Sequence, residues 1–370
     1  NNSKSQNSNK ANIKENEKAM KEPEIDSDFD EDIELALEMG CNALRLAHYP
    51  HSEKMYSRMD KLGLIAWTEI PFVNVFISNP DYAENLRQQF KELIYQNYNH
   101  PSILSWGLFN EVNSGWMEPV GEMVAELDSL ARELDPTRKT VGASNQNEAF
   151  NGYTDYIAFN KYFGWYGDNP ADMASWIDEE HKSHPDRSMG ISEYGAGASV
   201  YQQSDSLVHP EPWGQWHPEN WQTYYHVENW RILKKREYLW CNFIWCLADF
   251  SSAGRKEGDT FGRNDKGLVT YDRSTKKDAF YFYKANWNTK LPVLYIAGRR
   301  NVVVESPVMD VMVFGNRGEA ELEVNGQSYG KVTPDEVNTM IWRDIPLRKG
   351  ENEFVVTDSI GSDRCIKILK

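Results

Sequence analysis

Short apolar runs alternate with longer amphipathic segments over the first three quarters of the chain. The apolar runs are typical of strands buried on both faces, and the amphipathic segments between them predict helices. Predicted strands begin at about residues 41, 64, 103, 140, 156, 188 and 239. Predicted helices cover residues 28–39, 52–62, 81–98, 121–134, 171–184, 220–236 and 279–287. Strands that alternate with helices at this spacing predict parallel βα units, and their number favours a closed barrel over an open sheet.

The predicted barrel has one strand fewer than the eight of a complete (β/α)8 TIM-type barrel. The missing strand is the first, because residues 1–28 offer no apolar run that could be a central strand. This segment is rich in Asn, Ser, Lys and Glu, so we expect it to be disordered or weakly helical. The predicted fold class is therefore α/β, a TIM-type barrel that lacks its first strand.

The pattern changes after residue 290. Short alternating runs follow at residues 302–304, 308–314, 320–324, 338–342 and 353–357, separated by turns rich in Gly, Asn and Pro. The pair Asn325-Gly326 is a strong hairpin signal. These runs predict an immunoglobulin-like β-sandwich at residues 291–370, after a barrel at residues 29–290.

Two predicted strands end abruptly in a carboxylate. Residues 103–109 run into Asn110 and Glu111, and the strand that begins at residue 188 runs into Glu193. Taken alone, each glutamate could equally cap a helix or pair with a lysine. Together they favour an active site, because side chains at the carboxyl ends of barrel strands face one another across the barrel mouth. Retaining glycoside hydrolysis requires two such carboxyls, about 5 to 5.5 Å apart.

Composition says less about function than the pattern of strands and carboxylates does. The chain has 13 Trp, 19 Tyr and 15 Phe, which fit a large aromatic core and also suit stacking on sugar faces. The formal charge of -16 argues against nucleic acid or an anionic membrane as a partner. No apolar run is long enough to span a membrane, and the N-terminus lacks a signal-peptide pattern. Four scattered cysteines, at positions 41, 241, 246 and 365, are interpreted as buried thiols.

Several motifs resemble glycoside hydrolase family 2, in particular the β-galactosidase branch of gut bacteria. They are LAHYPHS at residues 46–52, GLIAWTEIPFV at 63–73, NYNHPSI at 97–103, WGLFNE at 106–111, SEYG at 192–195, NDKGLV at 264–269 and DAFYFYK at 278–284. The resemblance covers about residues 30–370. It implies a retaining β-glycosidase that hydrolyses terminal β-galactosides by double displacement, with no cofactor and a carbohydrate substrate.

By this resemblance Glu111 is the acid/base and Glu193 the nucleophile, and Asn110 binds the sugar 2-hydroxyl. The acid needs a raised pKa, to which Trp106 and Trp116, near it in sequence, could contribute.

The resemblance also implies substrate-binding roles for Tyr162, His48 and Trp245. Tyr162 would bond the nucleophile, His48 would contact sugar hydroxyls, and Trp245 would form an apolar floor under the sugar. Without the resemblance, each of the three fits ordinary structural packing. The loop at residues 198–218, with Trp213 and Trp216, is expected to shape outer subsites.

Asn264 and Lys266 leave the specificity open. An Asn-x-Lys pair clamps a substrate carboxylate in the β-glucuronidase branch, whereas the same run is part of a loop in the galactosidase branch. The flanking sequence favours a galactosidase, with glucuronidase-type specificity as the alternative. No metal is expected, because residues 71–76 lack the acidic and His ligands of the metal-dependent relatives.

The chain also departs from the family pattern. Family members usually carry β-sandwich domains before the barrel and a complete first strand. A second alternative is therefore an inactive or carbohydrate-binding remnant. The resemblance also allows a homo-oligomer or N-terminal domains on another chain, and it favours a periplasmic or secreted location.

Overall fold

The computed structural model describes residues 25–113 and 120–370. Its centre is a parallel sheet of seven strands in sequential order. These strands are β1 (Ala43–Leu46), β2 (Ile65–Glu69), β3 (Ile103–Asn110), β4 (Lys139–Ser144), β5 (Tyr156–Asn160), β6 (Ser188–Tyr194) and β7 (Asn242–Ile244). The sheet is nearly closed, which confirms the predicted seven-stranded barrel.

Helices connect the strands as the periodicity predicts. They are α1 (Ile25–Met39), α2 (Glu53–Leu62), α3 (Pro80–Asn97), α4 (Val120–Leu134), α5 (Asp172–Ser183), α6 (Glu219–Leu233) and α7 (Asp278–Trp287). Helix α1 begins three residues before its predicted start at Asp28. Helix α2 shows how local sequence sets the bounds, because the Ser52 side chain accepts a hydrogen bond from the Lys54 amide and Gly63 closes the helix in the left-handed region.

Strand β7 is shorter than predicted. The apolar run at residues 238–247 predicts a long buried strand, but only Asn242–Ile244 pair with β6. In the described part of the chain, β1 and β7 are the two edges of the sheet and each has one strand neighbour. Residues of both edges line the large central cavity, and they are therefore half-buried. Cys41, Cys241 and Cys246 form no disulfide. They line this cavity, which explains why they are only partly buried, whereas the sequence predicted buried thiols.

Two short antiparallel strands, β8 (Phe250–Ser251) and β9 (Arg263–Asn264), follow the barrel sheet. The C-terminal part forms two further sheets in the predicted β-sandwich, and their strands pair antiparallel except for β11 with β17, which pair parallel. One has the order β10 (Leu294–Ile296), β12 (Val308–Gly315) and β15 (Thr339–Pro346). The other has the order β11 (Val303–Val304), β17 (Ser362–Leu369), β16 (Gly350–Thr357), β13 (Ala320–Val324) and β14 (Gln327–Val332). Their shared core includes Val313, Leu322, Trp342 and Phe354. The predicted division of the chain into residues 1–28, 29–290 and 291–370 stays a prediction.

The guanidinium of Arg300 links the sandwich side of the chain to the barrel helices. Its Nε donates to Glu219 Oε2 at 2.7 Å, and its Nη2 donates to Asp278 Oδ1 at 2.7 Å. Both carboxylates are buried at the starts of α6 and α7. Removing one partner of such a buried cluster leaves carboxylates without their counter-charge, which is costly.

We expect Arg300→Met to lower the free energy of unfolding by about 3 kcal/mol, measured by urea denaturation. The matched control is Arg343→Met, because Arg343 pairs with Asp310 at the exposed surface of the sandwich. An exposed pair of this kind contributes about 0 to 1 kcal/mol. Equal losses for the two variants would show that the Arg300 cluster does not hold the two parts together.

Candidate active site

Side chains from the carboxyl ends of the barrel strands meet at one large cavity of about 1510 Å³. Six of the eight side chains predicted to form the site line this cavity. They are Glu111, Glu193, Asn110, His48, Tyr162 and Trp245. Because the strands are parallel, residues far apart in sequence are brought to the same edge of the sheet.

The guanidinium of Arg45, on β1, lies at the centre of the site and is only 3% exposed. It donates to Glu193 Oε1 at 2.7 Å, to Asn110 Oδ1 at 2.8 Å, and to both oxygens of Glu69 at 3.0 Å. Burial alone would lower the pKa of Arg45, but the charges of Glu69 and Glu193 raise it instead. The site therefore contains a fixed positive charge.

Glu193 accepts hydrogen bonds on both carboxylate oxygens. Besides Arg45, the hydroxyl of Tyr162 donates to Glu193 Oε2 at 2.6 Å. Burial, together with the nearby charge of Glu193, holds the pKa of Tyr162 well above its usual value, so the phenol keeps its proton. Glu193 is thus held by a cation at one oxygen and by a neutral donor at the other.

Glu111 sits in a different environment. Its backbone has φ 52, in the left-handed region, directly after β3. Burial and the charge of Glu193 raise the pKa of Glu111, against the opposing effect of a hydrogen bond from Asn160 Nδ2 to Glu111 Oε1 at 2.9 Å. The two glutamates of one cavity are therefore held in electrostatically different surroundings.

The expected contribution of Trp106 to this environment is not seen. Trp106 packs in the main hydrophobic core, and its indole donates to Asp135 Oδ2 at 3.0 Å instead of lining the cavity. Trp116 lies outside the described residues.

His48 and Trp245 form a stacked pair at the cavity wall. Their ring centroids are 5.1 Å apart with an interplanar angle of 17°. His48 Nδ1 lies 2.8 Å from Glu69 Oε1, and its Nε2 lies 3.8 Å from Glu193 Oε1. A side chain at Gly195 would place Cβ only 1.8 Å from the Trp245 carbonyl oxygen. Glycine is thus required where the end of β6 approaches Trp245.

Asn264 and Lys266 are buried beside the cavity but do not line it. Asn264 ends the short strand β9 (Arg263–Asn264), which pairs with β8 (Phe250–Ser251), and its Oδ1 accepts from the Lys266 amide at 3.1 Å. The Lys266 ammonium lies 5.3 Å from the Trp165 ring centroid and 5.1 Å from that of Tyr166. Tyr166 does line the cavity, so one aromatic ring separates the ammonium from it.

Sequence reasoning missed three residues of this arrangement. Arg45, Glu69 and Asn160 each contact one of the predicted residues directly. A signal was present, because Glu69 and Asn160 are polar residues at strand ends, as Glu111 is. Arg45 is the single charge in an otherwise apolar strand.

Among residues 25–113 and 120–370, no group of three or more His, Cys, Asp or Glu side chains is placed to hold a metal ion. In the same part of the chain, no helix is both long and apolar enough to cross a membrane.

The sequence was compared with models of known protein families. The model of the glycosyl hydrolases family 2 TIM barrel domain matches residues 14–291. The chain belongs to glycoside hydrolase family 2. A model of a domain of unknown function matches residues 307–361 of this family 2 chain.

Relatives with names that state an activity fall in two groups. A β-glucuronidase of Bacteroides fragilis is 51% identical over 335 residues, which cover 89% of this chain and 48% of the relative. The crystal structure of an FMN-binding β-glucuronidase from Facaelibacterium prausnitzii L2-6 has a TM-score of 0.86 at 36% identity, covering 92% of this chain and 53% of that one. A Bacteroides fragilis protein provisionally described as a β-galactosidase has a TM-score of 0.88 at 34% identity, covering 93% and 52%. The family 2 chain thus spans about half the length of these relatives.

We expect Glu193→Gln to lower the pKa of Glu111, because it removes a nearby negative charge that raises this pKa. The measurement is an NMR titration of carboxyl carbons in protein labelled at glutamate. Glu133→Gln, at an exposed position on α4, is the matched control and should leave the pKa of Glu111 unchanged. An unchanged Glu111 pKa in the Glu193 variant would mean that burial alone sets its value.

Proposed function

We propose that this chain hydrolyses terminal β-glucuronides with retention at the anomeric carbon. The sequence favoured galactosides, with glucuronides as the alternative, and the comparisons favour that alternative. The observation that carries the proposal is the Lys266 ammonium, which is buried to 2% exposure near the cavity. In the part of the chain that the structure describes, no carboxylate forms a direct ion pair with it. The ammonium lies over the faces of Trp165 and Tyr166, and its charge helps to lower the pKa of the neighbouring Asp265 carboxyl.

A buried ammonium without a direct ion pair is unfavourable, so a bound carboxylate would supply the contact that the described residues do not. The carboxylate of a glucuronide fits this need. It could reach Lys266 past the edge of Tyr166 after a small movement of that side chain, and the Asn264 amide could donate to its second oxygen. A charge-assisted pair of this kind is stronger than the cation–π contact that it replaces. A galactoside has a neutral hydroxymethyl group at the same position and gains less from a buried cation.

In the proposed reaction, Glu193 is the nucleophile and Glu111 the general acid. The ionised Glu193 attacks the anomeric carbon while the glycosidic C–O bond breaks, and the proton of Glu111 passes to the departing oxygen. Burial and the charge of Glu193 raise the pKa of Glu111, which favours the protonated form that a general acid needs. Arg45 and Tyr162 hold Glu193 in place before the attack.

In the second step, water replaces the departed group. Glu111, now ionised, takes a proton from this water, whose oxygen attacks the anomeric carbon and releases Glu193. Asn110 is proposed to bind the 2-hydroxyl of the sugar. Its Oδ1 already accepts from Arg45 and from Asn160, which orients its amide nitrogen as the donor. His48 and Trp245 are proposed to contact the hydroxyls and the apolar face of the same sugar.

We expect p-nitrophenyl β-D-glucuronide to be hydrolysed with a higher kcat/KM than p-nitrophenyl β-D-galactoside. NMR of the first product should show the β-anomer, because two displacements retain the configuration. Glu193→Ala should lower kcat by at least about a thousandfold on every substrate. Glu111→Ala should spare the nitrophenyl substrate far more than methyl β-D-glucuronide, because nitrophenolate leaves without protonation.

Three results would count against this proposal. A preference for the galactoside would return the specificity to the first sequence-based prediction. An α-anomer as first product would exclude double displacement. No turnover by well-folded protein would instead favour the alternative of an inactive or carbohydrate-binding remnant.

We expect Lys266→Met to raise KM for the nitrophenyl glucuronide and to lower kcat/KM by about a hundredfold, because the substrate carboxylate loses its cation. The activity on the nitrophenyl galactoside should change little, since that sugar carries no charge. Lys256→Met is the matched control, because Lys256 is an exposed lysine close by in sequence. Equal losses on the two substrates would contradict a role of Lys266 in charge recognition.

A further inference from the structure

A tryptophan at the rim of the cavity is exposed although it belongs to a stacked aromatic pair. The side chain of Trp213 is 66% exposed, and its ring lies 5.1 Å from that of Tyr166 with an interplanar angle of 28°. Both rings line the same cavity as Glu111 and Glu193. Exposed aromatics that occur singly need no explanation, but one whose ring is held by a second ring at a cavity rim offers a preformed flat surface.

The aromatic pair is connected to the reacting centre. The ring of Tyr166 lies 5.3 Å from that of Tyr162 in an edge contact, and the hydroxyl of Tyr162 donates to Glu193. Trp213 is therefore the outermost ring of a row that begins at the proposed nucleophile. A ligand group on Trp213 would lie outside the sugar that reacts. Because the proposed reaction releases the terminal sugar, any further sugar bound there belongs to the leaving group.

Two cationic side chains line the same cavity as these rings. Arg255 lines the cavity, and its guanidinium interacts with the Tyr166 hydroxyl and with Glu257. Lys161 also lines the cavity, and its Nζ donates to the Asn145 carbonyl oxygen at 2.9 Å. Cations at this rim contrast with the net charge of -16 of the whole chain. Hydrogen-bond donors beside a flat apolar ring suit a sugar, which has hydroxyls at its edge and C–H groups on its face.

We propose that Trp213, supported by Tyr166, forms an outer subsite that binds the sugar on the leaving-group side of the cleaved bond, with Arg255 beside it. The inference rests on the proposed function and names its substrate class. The substrate is an oligosaccharide that ends in a β-linked glucuronic acid. A glucuronide with a small leaving group would leave this subsite empty.

The test compares two substrates in kinetic assays. One is a trisaccharide with a non-reducing β-glucuronic acid, and the other is methyl β-D-glucuronide. Trp213→Ala should lower kcat/KM for the trisaccharide about tenfold, mainly through KM, because the stacked sugar face is lost. In the same variant, kcat/KM for methyl glucuronide should change less than about twofold. Trp213→Phe should recover most of the trisaccharide activity.

The matched control is Trp216→Ala. Trp216 lies three residues along the same loop and is 53% exposed. Contrary to the expectation from the sequence that it shapes an outer subsite with Trp213, it does not line the cavity. The Trp216→Ala variant should therefore leave kcat/KM unchanged for both substrates. Equal losses on both substrates for Trp213→Ala, no loss on either, or the same selective loss for Trp216→Ala would each overturn the proposal.

A binding measurement separates this proposal from the proposed function. Calorimetric titration of the trisaccharide into Glu193→Ala protein, with and without Trp213→Ala, needs no turnover. A tenfold weaker Kd in the double variant supports the subsite even if the wild-type chain hydrolyses neither substrate, which would refute the proposed function alone. An equal Kd, or no binding to either protein, overturns the subsite.

Discussion

The contact of Arg45 with two carboxylates is the constraint on which the site depends. Its buried guanidinium binds Glu193, Glu69 and Asn110, which belong to three different strands. Two carboxylates buried at this edge of the sheet would repel each other without a cation between them. The same cation fixes the position of Glu193 and the amide orientation of Asn110. The Arg45 side chain therefore contributes both to the packing of the barrel and to the chemistry of the site.

The different surroundings of the two glutamates follow from this arrangement. Arg45 donates directly to Glu193 and Glu69. Among the described residues, the Glu111 carboxyl instead accepts a neutral hydrogen bond from Asn160. Burial and the neighbouring negative charge then raise the pKa of Glu111. Two carboxyls of the same type are placed in different electrostatic surroundings because the strand ends offer them different partners. This asymmetry is what the proposed double displacement uses.

An aromatic row extends the site from the barrel centre to its rim. Tyr162 contacts Glu193, Tyr166 separates the cavity from the Lys266 ammonium, and Trp213 covers Tyr166 on the outside. In this row the Tyr162 hydroxyl donates to Glu193, the Tyr166 ring contacts the Lys266 ammonium, and the Trp213 ring is exposed to solvent. The proposed recognition of an acidic sugar and of its neighbour therefore uses a single continuous surface.

The sequence by itself determined the seven barrel strands and Glu111 and Glu193 at the ends of two of them, because periodicity and strand ends are local properties. It missed three strands of the sandwich, β10, β14 and β17. The side chains of β14 are mostly exposed and polar and therefore carry no hydrophobic alternation. Only the tertiary structure decided the role of Arg45, which contacts Glu193 across 148 residues of sequence. It also decided that Lys266 lies behind Tyr166 instead of lining the cavity. Such contacts depend on strand register and side-chain direction between distant segments, and no local pattern in a single sequence encodes them.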